Sequence, residues 1–396
     1  MRRRFFLAEC STFVIATLGV AAAYGAESES PLRQGKVFSE LEAAERLEAM
    51  AESVPDADAW KNRAAQIKSN ILRGAKLEQL PTSCPLNPIV HSRRKLDGYN
   101  VANVAFEALP GFFVTGNLYT PENPTASMPG ILVAHGHLEN GRRHESTQKL
   151  AASLARMGAT VFAWDMLGFG ESTLCEHKHP QALRIQTYSS MRALDFLLSQ
   201  PGIDADRLAI TGASGGGTQT FLLSAVDDRI DVSAPVVQVS AHFYGGCTCE
   251  SGMPIHVGDG FETNNVEIAA SFAPKPQLIV SDGGDWTANT PAVEFPFIRR
   301  IYDLLDAGNC VENAHFADEG HDYGPSKRKA VYDFFARRLR LDPTRIQNEE
   351  GQFDEAFVTV LDLDKLSAFD GRHQRPANAL QDCAEVVPLL NASVER

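Results

Sequence analysis

Ile210-Thr211-Gly212-Ala213-Ser214-Gly215-Gly216-Gly217-Thr218 is the stretch that decides the fold. The apolar run Leu208 to Gly212 reads as a buried strand, and Thr218 to Ala225 as the helix after it. Between them Gly-x-Ser-x-Gly compresses the change of direction into a few residues. A serine on so tight a strand-to-helix turn needs unusual backbone angles, and its neighbours must lack bulk. The turn lifts the hydroxyl above the end of a sheet and aims a helix N-terminus at it, where negative charge is stabilised. A phosphate loop is the rival reading of a glycine-rich turn, but no Gly-Lys-Ser/Thr follows. Ser214 is the candidate nucleophile.

Working outward, further short apolar runs suit buried strands: Ile131 to Ala134, Thr160 to Trp164, Val232 to Val239, Gln277 to Ser281 and Val311 to Phe316. Helical spacing separates them at Ser146 to Met157, Ala182 to Leu198, Val293 to Ala307 and Ser326 to Leu339. Apolar strands alternating with amphipathic helices predict an α/β architecture, a mostly parallel central sheet with helices on both faces. Ahead of it, Val101 to Leu109 and Phe112 to Tyr119 read as a hairpin around Pro110-Gly111. The long connection His242 to Ala273 is expected to form a cap or pocket wall.

Four segments follow. Residues 1–25 read as a signal peptide: Arg2, Arg3 and Arg4, an apolar stretch Phe13 to Ala23, then small Ala23 and Gly25. Arg3-Arg4-Phe5-Phe6-Leu7 resembles a twin-arginine export signal. The apolar stretch is short for a membrane span, so removal on export to the periplasm or the exterior is expected, with no stable membrane insertion afterwards. Residues 26–98 form a helical arm, with Phe38, Leu41, Ala44, Leu47 and Met50 at helical spacing, and a proline-rich linker (Pro81, Pro85, Pro88). The catalytic domain occupies 99–342, and 343–396 form an extension with no assigned role. Across the 396 residues the formal net charge is -13, with no Lys/Arg block, which excludes nucleic acid as a partner.

A serine nucleophile needs a base and an acid to orient it. His321, in Asp318-Glu319-Gly320-His321-Asp322, follows the last strand and precedes the last helix; His315 is the rival and falls within the strand. After the strand Gln277 to Ser281 come Asp282 and Asp285. Asp285 lies farther into the loop and is the candidate acid, whereas Asp282 suits a turn cap. The oxyanion hole is expected from the backbone N–H groups of Gly215 and His137, with Leu138 as the fallback.

These motifs, together with His135-Gly136-His137 and Asp165-Met166-Leu167-Gly168-Phe169-Gly170-Glu171-Ser172, carry a resemblance to the α/β-hydrolase superfamily. Within it the chain looks like the bacterial acetyl-xylan-esterase and dienelactone-hydrolase-like group. The resemblance covers Val101 to Leu341 and implies the order Ser214, Asp285, His321. True dienelactone hydrolases have a cysteine where Ser214 stands, which points to ordinary ester hydrolysis. The resemblance implies an exported serine carboxylic-ester hydrolase that deacetylates carbohydrate esters, with a small-molecule or polysaccharide ester as substrate. A serine peptidase of the prolyl-oligopeptidase kind and a non-catalytic binding protein on the same scaffold are the alternatives.

Two loops remain. Cys175-Glu176-His177-Lys178-His179 and the stretch His242 to His256, which contains Cys247-Thr248-Cys249-Glu250, should both overhang the edge near Ser214. Their spacing fits no standard zinc site, and the compartment that receives an exported chain oxidises thiols. No cofactor and no metal are expected; a disulfide from Cys175 to Cys247 or Cys249, or simple pocket lining, accounts for them. Trp286, Phe243 and Tyr244 suit either sugar stacking or packing.

Overall fold

The computed structural model describes residues 32–81 and 83–392; the expected signal peptide lies outside them. Among the described residues no helix is long and apolar enough to cross a membrane.

Two capped helices come first. Ser39 and Glu42 exchange hydrogen bonds at the start of α1 (Glu40–Ser53), and Asp56 accepts from the Ala59 N–H at the start of α2 (Ala57–Gly74). Leu41, expected on the inward stripe, is 69% exposed; Ala43 and Leu47, four apart, are the buried residues of α1.

Three antiparallel strands open the sheet: β1 (Ile89–Lys95), β2 (Tyr99–Leu109) and β3 (Phe112–Pro121). β1 was not expected, because His91-Ser92-Arg93-Arg94 breaks apolar alternation and Ser92 turns the chain at φ 52°. The alternating units follow: β4 (Met128–Ala134), α3 (Glu145–Arg156), β5 (Thr160–Trp164), α4 (Ala182–Leu198), β6 (Ile203–Ala213), α5 (Gly215–Val226) and β7 (Val232–Val236). β7 stops short of Val239 because Val237 has φ 46°. The wall segment holds α6 (Thr248–Ser251), a small hairpin of β8 (Val257–Gly258) and β9 (Phe261–Glu262), and α7 (Asn265–Ala270). Then come β10 (Gln277–Asp282), α8 (Glu294–Leu304), β11 (Val311–Phe316) and α9 (Pro325–Leu339).

Nine strands run in the order β1-β2-β3-β5-β4-β6-β7-β10-β11, parallel from β5 onward. β4, β5, β7 and β10 are buried along their whole length, which requires helices on both faces. Residues of α3 and α9 share one core cluster; those of α4, α5 and α8 share the other with α1 and α2. Register brings Ala134 opposite Gly212 and Ala213 opposite Val236, so the carboxyl ends of β4, β6 and β7 finish together. At that edge a Cβ on Gly212 or Gly216 would run into the Ala134 carbonyl oxygen. These glycines let α5 start against the end of β4.

The tail beyond residue 343 lies across the sheet's antiparallel end and finishes in α10 (Val386–Asn391). Asn103 and Asn117 donate side-chain hydrogen bonds to the carbonyls of Ser367 (2.7 Å) and Leu366 (3.1 Å). Arg142, wholly buried, donates to Leu366 O and pairs with Asp165 (3.1 Å) and Glu171 (2.6 Å). Glu171 in turn accepts from the Ala368 and Phe369 N–H groups. A disulfide joins Cys175 to Cys383, which corrects the expected pairing with Cys247 or Cys249. The loop after β5 is thus fastened to the tail.

Candidate active site

Ser214 sits between β6 and α5 at φ 57°, ψ −125°. A non-glycine residue there carries strain on the order of 1–3 kcal/mol, which the surroundings must hold. They do so on both sides: the Ser214 N–H donates to Val236 O (3.1 Å), and its carbonyl accepts from the Thr218 N–H (3.0 Å).

His321 lies on the turn between β11 and α9. Its Nδ1 is 2.5 Å from Asp285 Oδ2. The other carboxylate oxygen, Oδ1, accepts from both the Thr287 N–H and the Thr287 hydroxyl, each at 2.6 Å. The Asp285 side chain is only 3% exposed, so water does not compete for the contact. With Nδ1 donating to that carboxylate, the ring's Nε2 is left with its lone pair. Ser214 and His321 line one cavity of about 190 Å³, with Leu138, Val237 and Tyr323 among its apolar walls. No hydrogen bond joins Ser214 Oγ to His321 here. Such contacts are commonly long in ligand-free enzymes and tighten around substrate.

The rivals are engaged elsewhere. Asp282 is fully buried, 3.2 Å from Lys327 Nζ, and accepts from the Gly284 N–H. Burial, and then the Asp285 charge, raise its carboxyl above the usual range. His315 stays in β11, with Nδ1 2.9 Å from Ser281 Oγ. Lys327 was not singled out in the sequence, yet it ties the His321 turn together. Its buried ammonium donates to Gly320 O and Asp322 Oδ1, each at 2.7 Å. Burial works against that charge, but Asp322 and Asp282 outweigh it and hold the lysine pKa above its ordinary value.

The two expected oxyanion donors are both left without a partner. Gly215 and His137 N–H groups donate to no group among the described residues, whereas the Leu138 N–H is committed to Gly136 O (2.8 Å). A Cβ on Gly215 would lie 2.8 Å from His137 Cε1, so the His137 ring packs against Gly215. His135 anchors this loop: its Nδ1 bonds Gly136 O (2.7 Å), and its Nε2 accepts from the Met166 N–H (2.8 Å). Burial pushes the His135 pKa down to about 4, which keeps the ring neutral and able to accept.

Trp286 and Phe243 stack at 4.1 Å, and Trp286 leans over His321 at 4.4 Å between ring centres. Both are half-buried and form an aromatic rim. Tyr244 is buried instead, stacked on His256, and is not available to a sugar. Glu294, at the start of α8, receives the Ala241 N–H (3.2 Å) at the base of the wall segment. It is 1% exposed, and its second oxygen has no hydrogen-bond partner. Burial, with help from Glu40, pushes its pKa up to about 7. The folded protein therefore holds a proton there that the unfolded chain releases near pH 4.5. That stabilisation is complete below the unfolded value and is lost as pH rises through about 7. Glu294→Gln should remove this loss and leave the variant on the order of 1–3 kcal/mol more stable than wild type near pH 8. Urea unfolding near pH 5 and near pH 8 measures it; equal pH slopes for both proteins would contradict it.

The two Cys/His loops, expected to bind no metal, come together with the loop after β4. His137 Nε2 and His177 Nε2 lie 2.9 Å apart, and Cys249 Sγ is 3.3 Å from each. Cys247 joins them, with all four donor atoms within 4.8 Å of one another. The residues come from three loops, after β4, β5 and β7, so no local spacing announces them.

A strained serine between a parallel strand and a buried helix, with a carboxylate-held histidine at the same sheet edge, is the arrangement of α/β-hydrolases. The chain belongs to that superfamily, among its esterases. Its structure matches that of the methylesterase BT1017 with a TM-score of 0.83 and 40% identity, covering 91% of this chain and 80% of that one. A glucuronoyl esterase from Solibacter usitatus shares the fold at TM-score 0.54 and 16% identity, covering 72% of this chain and 94% of that one. Among curated proteins, "Putative hydrolase YtaP" of Bacillus subtilis (strain 168) is 28% identical over 158 residues, 34% of this chain. The chain spans half the length of that curated relative, 50%. No family model matches the chain.

Proposed function

We propose that the protein is an exported serine carboxylic-ester hydrolase acting on a carbohydrate ester. The observation that carries the reading is the pairing of strained Ser214 and Asp285-held His321 around one cavity. In this reading His321 Nε2 takes the Ser214 proton as Oγ attacks the ester carbonyl. The Gly215 and His137 N–H groups receive the oxyanion, each contributing on the order of 100-fold in rate. The alcohol leaves with the proton from His321. Water, activated by the same ring, then cleaves the acyl-enzyme and regenerates Ser214.

Which side of the ester carries the sugar separates two versions. Deacetylation, the sequence expectation, puts the sugar on the alcohol. The 40% identity to a methylesterase supports the opposite polarity, a sugar carboxyl esterified with methanol. We adopt the methyl ester as the leading substrate, with the Trp286 and Phe243 rim as the surface for a sugar face. Purified protein should release methanol from a methyl-esterified polyuronate at a kcat/KM at least about tenfold above that for acetate release from acetylated xylan. Faster acetate release would restore deacetylation. Cleavage of peptide amides without either ester activity would overturn both in favour of a peptidase.

A further inference from the structure

The geometry points to a tetrahedral zinc-class metal site formed by His137, His177, Cys247 and Cys249 beside the candidate active site. Three of the donor atoms form a triangle with edges of 2.9, 3.3 and 3.3 Å, closed by the fourth within 4.8 Å. Ligands about 2.0–2.3 Å from one tetrahedral ion stand roughly 3.3–3.8 Å apart, so the triangle differs from a loaded site by a few tenths of an ångström and Cys247 by at most about 1.5 Å. Hydrogen bonds join these atoms only in pairs, whereas one ion binds all four at once.

The surroundings prepare the ligands. His177 Nδ1 lies 2.6 Å from Leu167 O, and a carbonyl accepts only from an N–H. The proton is thus fixed on Nδ1, and the lone pair of Nε2 points into the cluster, as the outer partner of a metal-bound histidine does. Glu250 accepts the Cys247 N–H at 3.0 Å and is itself held by Gln238 Nε2 at 3.2 Å, which fixes the turn carrying both thiols. Cys249 is buried and His137 exposed, so the site has a packed floor and an open side through which an ion can enter.

Two nitrogens and two sulfurs in this geometry select zinc over magnesium or calcium, which take oxygen ligands. With four protein ligands no coordination position is left for substrate, so the ion's role is to position, not to polarise. It would tie the loops after β4, β5 and β7 into one unit. Through the His137 ring, which abuts Gly215, it would also set the backbone N–H assigned to the oxyanion hole. That last role rests on the esterase reading; the site does not.

Full-length protein purified under reducing conditions, stripped with a chelator and reloaded with zinc sulfate should retain about one zinc per chain by elemental analysis. Of the four unpaired cysteines among the described residues, Cys84, Cys247, Cys249 and Cys310, zinc should shield Cys247 and Cys249 alone from alkylation. Cys249→Ser and His137→Ala should each retain less than about one tenth of the zinc, whereas Cys310→Ser keeps it all. His137 is exposed, so its variant tests the site even if the buried cysteine variant fails to fold. Wild type that retains under about 0.2 zinc per chain, or equal zinc in all variants, would overturn the proposal. Zinc at full occupancy without ester turnover would uphold the site while overturning the esterase reading, and turnover in zinc-incompetent wild type would do the reverse.

Discussion

Ser214→Ala is expected to lower kcat for p-nitrophenyl acetate by about 10⁵–10⁶-fold while leaving the thermal unfolding midpoint unchanged or raised. The loss is large because the hydroxyl has no understudy: among the described residues no other serine or cysteine lines the cavity with His321 and His137 except Ser146, which lies on α3. Stability should not fall, since the serine is held by its backbone, through Val236 O and the Thr218 N–H, and alanine keeps both contacts. Alanine relieves none of the φ 57° strain, so no large gain in stability is expected. Stopped-flow and calorimetric measurements on the pair separate the two effects. A variant within tenfold of wild type would remove Ser214 from the chemistry.

Asp285→Asn is the second large effect, about 10⁴-fold in kcat. Thr287 holds Oδ1 with two donors, so the replacement amide must keep its oxygen there and turn its NH₂ toward His321. Facing a donor, Nδ1 must become the acceptor, and the proton moves to Nε2. The ring then presents N–H to Ser214 and cannot take its proton. Asp282→Asn makes an informative contrast. That carboxylate faces buried Lys327, so its loss should act on stability by leaving the ammonium with Asp322 and Glu319 as its only carboxylate partners, and leave the tautomer of His321 alone. Equal losses of kcat from both changes would contradict the assignment.

Features that are local in sequence were readable there. β5 matches the apolar run Thr160 to Trp164, because a strand covered on both faces must be apolar at consecutive positions, and the expected strand Val311 to Phe316 is β11, a partly buried edge strand. The turn at Ser214 was readable because its glycines answer to a close approach by Ala134. Features made by distant segments were not. β1 is half-exposed and basic, and pairs only through β2. The tail's partners, Asn103, Asn117, Arg142 and Glu171, lie more than a hundred residues away, so nothing in its own composition reveals them. Cys175 pairs with Cys383 across 208 residues, and spacing cannot choose among distant cysteines. The His137, His177, Cys247 and Cys249 cluster fails every zinc pattern in sequence for the same reason: three loops supply it, and only the sheet edge brings them together.

The most direct measurement is labelling with a fluorophosphonate followed by peptide mass spectrometry. The account predicts one covalent adduct per chain, located on Ser214, abolished in Ser214→Ala and strongly slowed in Asp285→Asn. An adduct on another residue, or none on folded protein that still turns over ester, would contradict it.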